Sequence, residues 1–168
     1  LASHGAAIGI ITAMYLYNNR ILKKSVLWIL DRILIPVAIG GAFIRIGNFF
    51  NSEIVGKETE RSFGVVFSKL GEDFARHPAQ LYEAFSYIII FFIVAHIYWR
   101  TEKIKKTGYL FGLFFVLLWV SRFIVEFFKQ AQVDGREDWI LGMNTGQTLS
   151  IPFILIGLYL MFKKTAKS

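Results

Sequence analysis

Two arginines lie at the ends of apolar segments, each with a polar neighbour on the same helix face. Arg45 and Asn48 are three residues apart, and Arg122 and Glu126 are four apart. Both spacings bring side chains together on a helix. Ionisable groups are costly beside hydrocarbon, and inside an apolar segment they indicate a functional site. Because a guanidinium binds a phosphodiester through two parallel hydrogen bonds, the two arginines favour binding of a phospholipid headgroup.

Structural pairing is a second explanation of these charges, and the sequence leaves it open. Arg122 and Glu126 are close enough on one helix face to satisfy each other. Arg45 has no carboxylate at helical spacing in its own segment, so its partner would come from another helix. The candidates for that interhelical salt bridge are Glu53, Glu83 and Glu126.

Histidines supply the candidates for a general base near neutral pH. His4 and His77 lie near the level of the arginines, whereas His96 lies toward the opposite end of its segment and is predicted to pack there. The chain has no cysteine, which excludes disulfides, thiolate metal sites and a cysteine nucleophile. Neither HExxH nor GxSxG occurs, so metalloprotease and serine-hydrolase chemistry are not indicated.

Long apolar segments must position these side chains. The chain has 168 residues, a mean hydropathy of +0.50 and 17% aromatic residues, which is more apolar than a soluble domain of this length. Crossing a bilayer as a helix takes about 20 apolar residues. We therefore predict an all-α, polytopic membrane helical bundle forming a single transmembrane domain over 1–168. Its five predicted spans are 4–19, 33–50, 79–99, 108–128 and 146–162.

Charge predicts the orientation of these spans. The formal net charge of +7 comes from basic clusters that alternate with mixed, slightly acidic segments, the positive-inside pattern rather than a nucleic-acid surface. It places 20–25, 100–107 and the C-terminus in the cytoplasm, and 51–77 and 129–145 outside. The polar groups that are costly beside hydrocarbon then all lie in the outer third of their spans. They are His4, Arg45, Asn48, Asn51, Glu53, His77, Gln80, Glu83, Arg122, Glu126 and Gln147.

Proline and charge predict how the first segments connect. Residues 25–36 are expected to lie along the cytoplasmic interface until Pro36 redirects the chain into the second span. Asp31 and Arg32 are expected to be solvated there, without a chemical role.

Two further patterns predict local structure outside the membrane. Residues 51–77 form a small extracytoplasmic excursion, in which the alternation over 62–67 favours one β-hairpin. Asn144, three residues before Gln147, has capping-box spacing at the start of the last span.

Five ordered blocks of the sequence resemble the prolipoprotein diacylglyceryl transferase family. The most specific is RIGNFFNSEIVG (45–56), which is similar to the family signature with its arginine, two asparagines, glutamate and closing glycine. The other blocks are SHGAAIG (3–9), HPAQLYEA (77–84), RFIVEFFK (122–129) and GQTLSIP (146–152). Ile44 and Ala6 depart from the family pattern, which usually has glycine at both positions. The family's first spans lie before Leu1, so the chain is expected to be the C-terminal part of a longer protein.

The resemblance implies a reaction and its partners. The sn-1,2-diacylglyceryl group of phosphatidylglycerol is transferred to the lipobox cysteine thiol of a prolipoprotein signal peptide, and glycerol 1-phosphate leaves. The reaction needs no metal or nucleotide cofactor. The reaction is expected to take place in the bacterial inner membrane. The lipid bilayer is an expected partner of the protein, and nucleic acid is not.

The resemblance also implies a role for each of the polar residues. Arg45 binds the phosphate, helped by Asn48 and Asn51, with Glu53 and Gly5 nearby. His4 is the candidate base, Arg122 stabilises the departing phosphate, and Glu126 and Glu53 orient the arginines. The supporting residues are His77, Gln80, Tyr82, Glu83 and Gln147.

Two other classes of function compete with an enzyme. A small transporter or lipid carrier would hold its charges near the bilayer centre, often in repeated halves, and no internal repeat is visible. A purely structural membrane subunit would pair every polar group between helices.

Overall fold

The described part of the chain consists of five α-helices and one short β-hairpin. A computed structural model describes residues 2–130 and 142–163, with the side chains of 2–7, 10 and 11 outside that description. In chain order the elements are α1 (Ala2–Tyr17), α2 (Val26–Phe50), β1 (Val65–Val66), β2 (Ala75–Arg76), α3 (Ala79–Arg100), α4 (Tyr109–Val125) and α5 (Thr145–Phe162). Most of the loop predicted over 129–145 and the end of the C-terminal basic cluster lie outside the described residues.

Several of these helices are able to cross a bilayer. By length and apolar composition α2, with 25 residues, α3, with 22, and α5, with 18, qualify as spans. The apolar helix α4 has 17 residues, and α1 has 16. The described residues are therefore those of a helical membrane protein, as predicted, while the count of five spans stays a prediction.

The connection before the second span differs from the prediction. Residues 25–36 do not lie apart from α2, because the helix continues through Pro36 as one element. The reason is Asp31, which is 1% exposed and not solvated. Its carboxylate accepts the backbone N–H of Gly108 at 2.6 Å and that of Phe111 at 2.8 Å, where α4 begins. These two bonds hold the first half of α2 inside the bundle.

Arg32 is also half-buried, contrary to the prediction that it is solvated. Its guanidinium lies 3.4 Å from the centre of the Trp28 ring.

A buried apolar core joins the three middle helices. Burial of aliphatic side chains from α2, α3 and α4 fixes the relative positions of these helices, and hence of their polar ends. The core side chains are Leu34, Ala38, Ile90, Val94, Leu110 and Phe114.

Helices α4 and α5 approach each other through two glycines. A Cβ atom on Gly112 would lie 2.6 Å from the carbonyl oxygen of Gly157, and one on Gly157 would lie 2.7 Å from that of Gly112. Small residues at such a crossing allow two membrane helices to pack backbone against backbone. The predicted capping box opens α5, since the Gln147 N–H donates to Asn144 Oδ1 at 2.9 Å.

The segment between α2 and α3 is compact and contains the predicted hairpin. Strand β1 pairs antiparallel with β2, with Val65 opposite Arg76. Single bridges join Gly56 to Lys129 and Glu58 to Arg76. The excursion is therefore tied to the residues that follow α4, at the same end of the bundle.

Candidate active site

Four charged side chains form a chain of ion pairs where α2 ends and α3 begins. Arg45 Nε lies 2.8 Å from Glu83 Oε2. Lys129 Nζ lies 3.4 Å from Glu83 Oε1 and 3.5 Å from Glu126 Oε2. Glu83 is 1% exposed and Lys129 is 3% exposed. Removing one member of a buried pair leaves the other charge uncompensated, so these contacts fix α2, α3 and the end of α4 relative to one another.

The structure chooses between the pairings that the sequence left open for Arg45. Its carboxylate partner is Glu83, from another helix. Of the three candidates, Glu83 is thus the one that pairs directly with Arg45 among the described residues, and the orienting role of Glu53 and Glu126 stays a prediction. Because Nε of Arg45 faces Glu83, the two terminal nitrogens of the guanidinium point elsewhere and include the pair that a phosphate could bind.

Arg122 does not pair with Glu126. Within residues 2–130 and 142–163, Arg122 forms no salt bridge, and its guanidinium lies 5.6 Å from the centre of the Trp119 ring. Tyr87, on α3, lies within electrostatic reach of Glu83, Arg45 and Arg122. Arg122 therefore belongs to the same charged end of the bundle.

Asn48 connects Arg45 to the turn that follows α2. In the amide orientation that satisfies both of its ends, Asn48 accepts from Arg45 Nη1 at 3.2 Å and donates to Glu53 Oε2 at 3.3 Å. Gln80, which is fully buried, donates to the backbone carbonyl of Glu53 at 2.6 Å. Asn48 thus links the guanidinium of Arg45 to the carboxylate of Glu53, and Gln80 holds the backbone of the same turn.

The first turn of α5 covers the carboxylate of Glu126. A Cβ atom on Gly146 would lie 2.4 Å from Cδ of Glu126. Asn144 Nδ2 donates to the backbone carbonyl of Glu126 at 3.3 Å. The N-terminus of a helix carries partial positive charge and stabilises a nearby carboxylate. The glycine of the GQTLSIP block therefore makes room for Glu126.

The turn of the RIGNFFNSEIVG block has a strained backbone. Ser52 has φ 59° and Ile54 has φ 57°, in the left-handed region that a β-branched residue rarely adopts. Gly56 ends the turn, and a Cβ atom there would lie 2.4 Å from the carbonyl oxygen of His77 and 2.7 Å from that of Phe128. The closing glycine of the block is thus required by close packing of three backbone segments.

Arg76 holds the excursion together and was not among the predicted site residues. It donates to both oxygens of Glu72, at 2.6 and 2.7 Å. Its remaining terminal nitrogen reaches the carbonyl of Gly56 at 3.3 Å and Gln130 Oε1 at 3.0 Å. Hydrogen bonding to Arg76 lowers the pKa of the Glu72 carboxyl, and the same pair raises the pKa of Arg76.

His77 lines a separate aromatic cleft. Its Nδ1 lies 3.0 Å from the hydroxyl oxygen of Tyr82. The cleft has a volume of about 440 Å³, and its other walls are Phe63, Pro78 and Phe128. His77 and Tyr82 therefore lie in a neighbouring apolar site and outside the ion-pair chain.

The remaining predicted residues are placed as follows. His4 and Gly5 lie in α1, and their side chains are outside the described residues. Asn51 caps the C-terminus of α2 and is exposed, as is Glu53. Gln147 is buried in the capping box.

Two members of the charged end were missed by the sequence analysis, although helical spacing marks both. Lys129 follows Glu126 by three residues, and Tyr87 follows Glu83 by four. Tyr87 packs against α2 where Gly41 leaves space, since a Cβ atom there would lie 3.0 Å from the Tyr87 ring.

Five charged side chains of the described residues are buried or half-buried at this end. Arg45, Lys129 and Arg122 are cationic, and Glu83 and Glu126 are anionic. The exposed carboxylate of Glu53 is a third anion, which Asn48 links to Arg45. Electrostatic interactions among the buried groups are stronger than in water.

The fold and the site together define a class, a helical membrane protein with a cluster of charged side chains at one end of its bundle. The family model described as prolipoprotein diacylglyceryl transferase matches residues 1–163. The chain belongs to this family.

Curated relatives show the same similarity. A phosphatidylglycerol–prolipoprotein diacylglyceryl transferase of Tolumonas auensis is 47% identical over 161 residues, covering 96% of this chain and 61% of the relative. Those of Chloroherpeton thalassium and Porphyromonas gingivalis are each 40% identical, over 100% and 97% of this chain and 62% of each relative. The chain thus spans about three fifths of the length of these bacterial relatives.

Proposed function

We propose that the protein transfers the sn-1,2-diacylglyceryl group of phosphatidylglycerol to the lipobox cysteine thiol of a prolipoprotein, the first step of bacterial lipoprotein maturation. The observation that carries the proposal is the family match across residues 1–163. The charged end of the bundle supports it, because Arg45 and Arg122 lie there and a guanidinium can bind the phosphodiester of that lipid.

Arg45 is proposed to bind the phosphate. Glu83 occupies Nε of its guanidinium, and Asn48 accepts from one terminal nitrogen at 3.2 Å. A guanidinium fixed in this way presents its remaining donors in one direction, which is the basis of bidentate phosphate recognition. Asn51, which is exposed at the end of α2, is proposed to contact the headgroup glycerol.

Arg122 is proposed to stabilise the leaving group. The thiolate sulfur of the substrate attacks the glycerol carbon that carries the phosphate, a carbon–sulfur bond forms, and the carbon–oxygen bond breaks. The electron pair of that bond leaves on the oxygen of glycerol 1-phosphate, where a cation lowers the barrier. Glu126, held by Lys129 and the start of α5, keeps this end of α4 in place.

The proton of the thiol is proposed to go to His4. An unperturbed thiol has a pKa of about 8.5 and is only slightly ionised at neutral pH, so a base near the attacking sulfur accelerates the reaction. Replacing His4 by Gln should lower activity at neutral pH, with recovery at high pH where the thiol ionises unaided. A pH–rate profile that stays flat and low would remove the base role.

The decisive experiment incubates the full-length protein with labelled phosphatidylglycerol and a lipobox peptide. Formation of a thioether-linked diacylglyceryl peptide is the expected result. Transport of the lipid without chemistry would favour a carrier, and neither activity would favour a structural subunit. Arg45→Lys tests the phosphate role, because a lysine cannot bind bidentately and full lipid turnover by this variant would contradict the assignment.

The proposed setting is the bacterial inner membrane, with the charged end toward the extracytoplasmic face and the C-terminus in the cytoplasm. Basic residues after the first and third predicted spans support this orientation through the positive-inside rule. The two proposed substrates meet at that face.

A further inference from the structure

We propose that the groove between α3 and α4 binds one acyl chain of the lipid whose phosphate is held at the charged end of the bundle. The inference rests on the proposed function and adds the path of a lipid tail to it. The groove has a volume of about 260 Å³. Ser86, Ile89 and Ile93 line it on α3, and Leu117, Val120 and Ile124 line it on α4.

The groove begins directly beside the charged side chains. Ser121 and Val125 line the end of the groove nearest the charges, and each immediately precedes a charged residue, Arg122 or Glu126. On α3, Ser86 follows Glu83 by less than one helical turn. From Ser86 to Ile93 the helix advances about 10 Å away from the charges. The hydrocarbon tail of a lipid whose phosphate lies at Arg122 would therefore extend along this groove.

The chemistry of the walls suits hydrocarbon. Seven of the nine lining residues are isoleucine, leucine or valine, and no lining residue is charged. Ile89, Ile93 and Ile124 are 44%, 36% and 53% exposed, so the groove opens to the side of the bundle. A single-file apolar chain would bury these side chains. The Ser121 hydroxyl, which has no hydrogen-bond partner among the described residues, would stay unpaired beside it.

The pattern along the groove favours a phospholipid as its occupant. The cationic side chains at one end and the apolar walls beyond it match the division of a phospholipid into an anionic head and a hydrocarbon tail.

Filling the far end of the groove tests the inference by chain length. Ile93→Trp in the full-length protein should lower kcat/KM for long-chain phosphatidylglycerol roughly tenfold while short-chain phosphatidylglycerol is used as by the wild type. Ile156→Trp is the matched control, because Ile156 lies on α5, is 46% exposed and does not line the groove. Equal losses for both chain lengths, or equal effects of the two variants, would overturn the proposal.

A binding measurement separates this inference from the proposed reaction. Phosphatidylglycerol with a photoactivatable group in mid-chain, in vesicles of that lipid, should crosslink wild-type protein at α3 and α4 residues of the groove. Ile93→Trp should reduce these crosslinks, and Ile156→Trp should not. Crosslinks elsewhere only would mean that a helix or another segment covers the groove. Crosslinking without any transfer to peptide would contradict the proposed reaction and leave the groove assignment standing.

Discussion

Glu83 is a buried carboxylate that pairs with two cations at the charged end. Its two oxygens face two cations from different segments, Arg45 at 2.8 Å and Lys129 at 3.4 Å. At 1% exposure it has no solvent to replace either partner. A neutral residue there would leave two cations facing each other in a buried place, which repels α2 from the end of α4.

Glu83→Gln should therefore unfold more easily and lose transferase activity. Removing one partner of a buried ion pair costs about 3 to 5 kcal/mol. The matched control is Glu102→Gln, since Glu102 is 80% exposed and pairs only with Lys105 at the surface. That pair contributes about 0 to 1 kcal/mol. Thermal unfolding in detergent measures both, and equal shifts would show that the Glu83 pair is not a structural link.

Gly146→Ala tests the contact between α5 and Glu126. The new Cβ would lie 2.4 Å from the Glu126 carboxyl carbon, and because that group ends a flexible side chain, it should swing away from Lys129. We expect a loss of activity larger than the loss of stability. Gly40→Ala is the control, because nothing lies within 4 Å of its added Cβ, and alanine favours a helix over glycine. Full activity of Gly146→Ala would contradict the role of this glycine.

At the scale of elements, Asp31 replaces a cap that α4 lacks in its own sequence. Gly108, with φ 89°, precedes α4 and has no side chain to accept a hydrogen bond. The carboxylate of Asp31 reaches across from α2 and accepts two of the first N–H groups instead. The start of α4 is thus defined by a residue far away in sequence.

Asp31→Asn should destabilise the bundle without touching the charged end. The amide can accept one of the two N–H groups, but its nitrogen then faces the other donor, and a buried donor left unpaired costs about 1 to 3 kcal/mol. Asp73→Asn, on the exposed surface of the excursion, is the control. If both variants unfold at the wild-type temperature, the cross-helix cap contributes nothing.

The excursion should loosen in acid. Since Arg76 lowers the pKa of Glu72 in the folded state, this group contributes stability above its unfolded pKa, about 4. The contribution is lost as the pH falls through the lower, folded value. Hydrogen-exchange protection over residues 56–76, corrected for the intrinsic exchange rate at each pH, should therefore fall below about pH 4 in the wild type. In Glu72→Gln it should be lower already at neutral pH, and unchanged protection there would rule out the pair as the link.

The features predicted from sequence and those missed differ in how far apart their partners lie in the chain. The apolar spans, the hairpin and the Asn144–Gln147 capping box follow from periodicity and spacing within a few residues, and these the sequence analysis found. The partner of Arg45 and the burial of Asp31 depend on which helices become neighbours, and spacing within one segment carries no information on that.

The strained backbone of the signature turn was missed for a related reason. Ile54 adopts a left-handed φ two residues before Gly56, where the backbone packs against His77 and Phe128. Local propensity disfavours that conformation for isoleucine, so tertiary packing decides it. The closing glycine was recognisable from the family pattern, while its steric reason came from the fold.

At the scale of the whole molecule, the absence of cysteine makes orientation directly measurable. Single cysteines at Glu60, in the excursion, and at Lys105, in the basic segment after α3, would be the only thiols in the described chain. An impermeant maleimide added to spheroplasts should label the first and spare the second until the membrane is opened. The reverse pattern would invert the proposed topology.

If α4 crosses the bilayer, as the sequence predicts, its length has a consequence for the membrane itself. Its 17 residues extend for about 25 Å, short of the roughly 30 Å of hydrocarbon in a typical bilayer. Both of its ends are tied to polar partners within the protein, Asp31 at one and the Lys129–Glu126 pair at the other. Such hydrophobic mismatch favours local thinning of the bilayer. Lipids beside α4 would then have their headgroups drawn inward, toward the depth of Arg122.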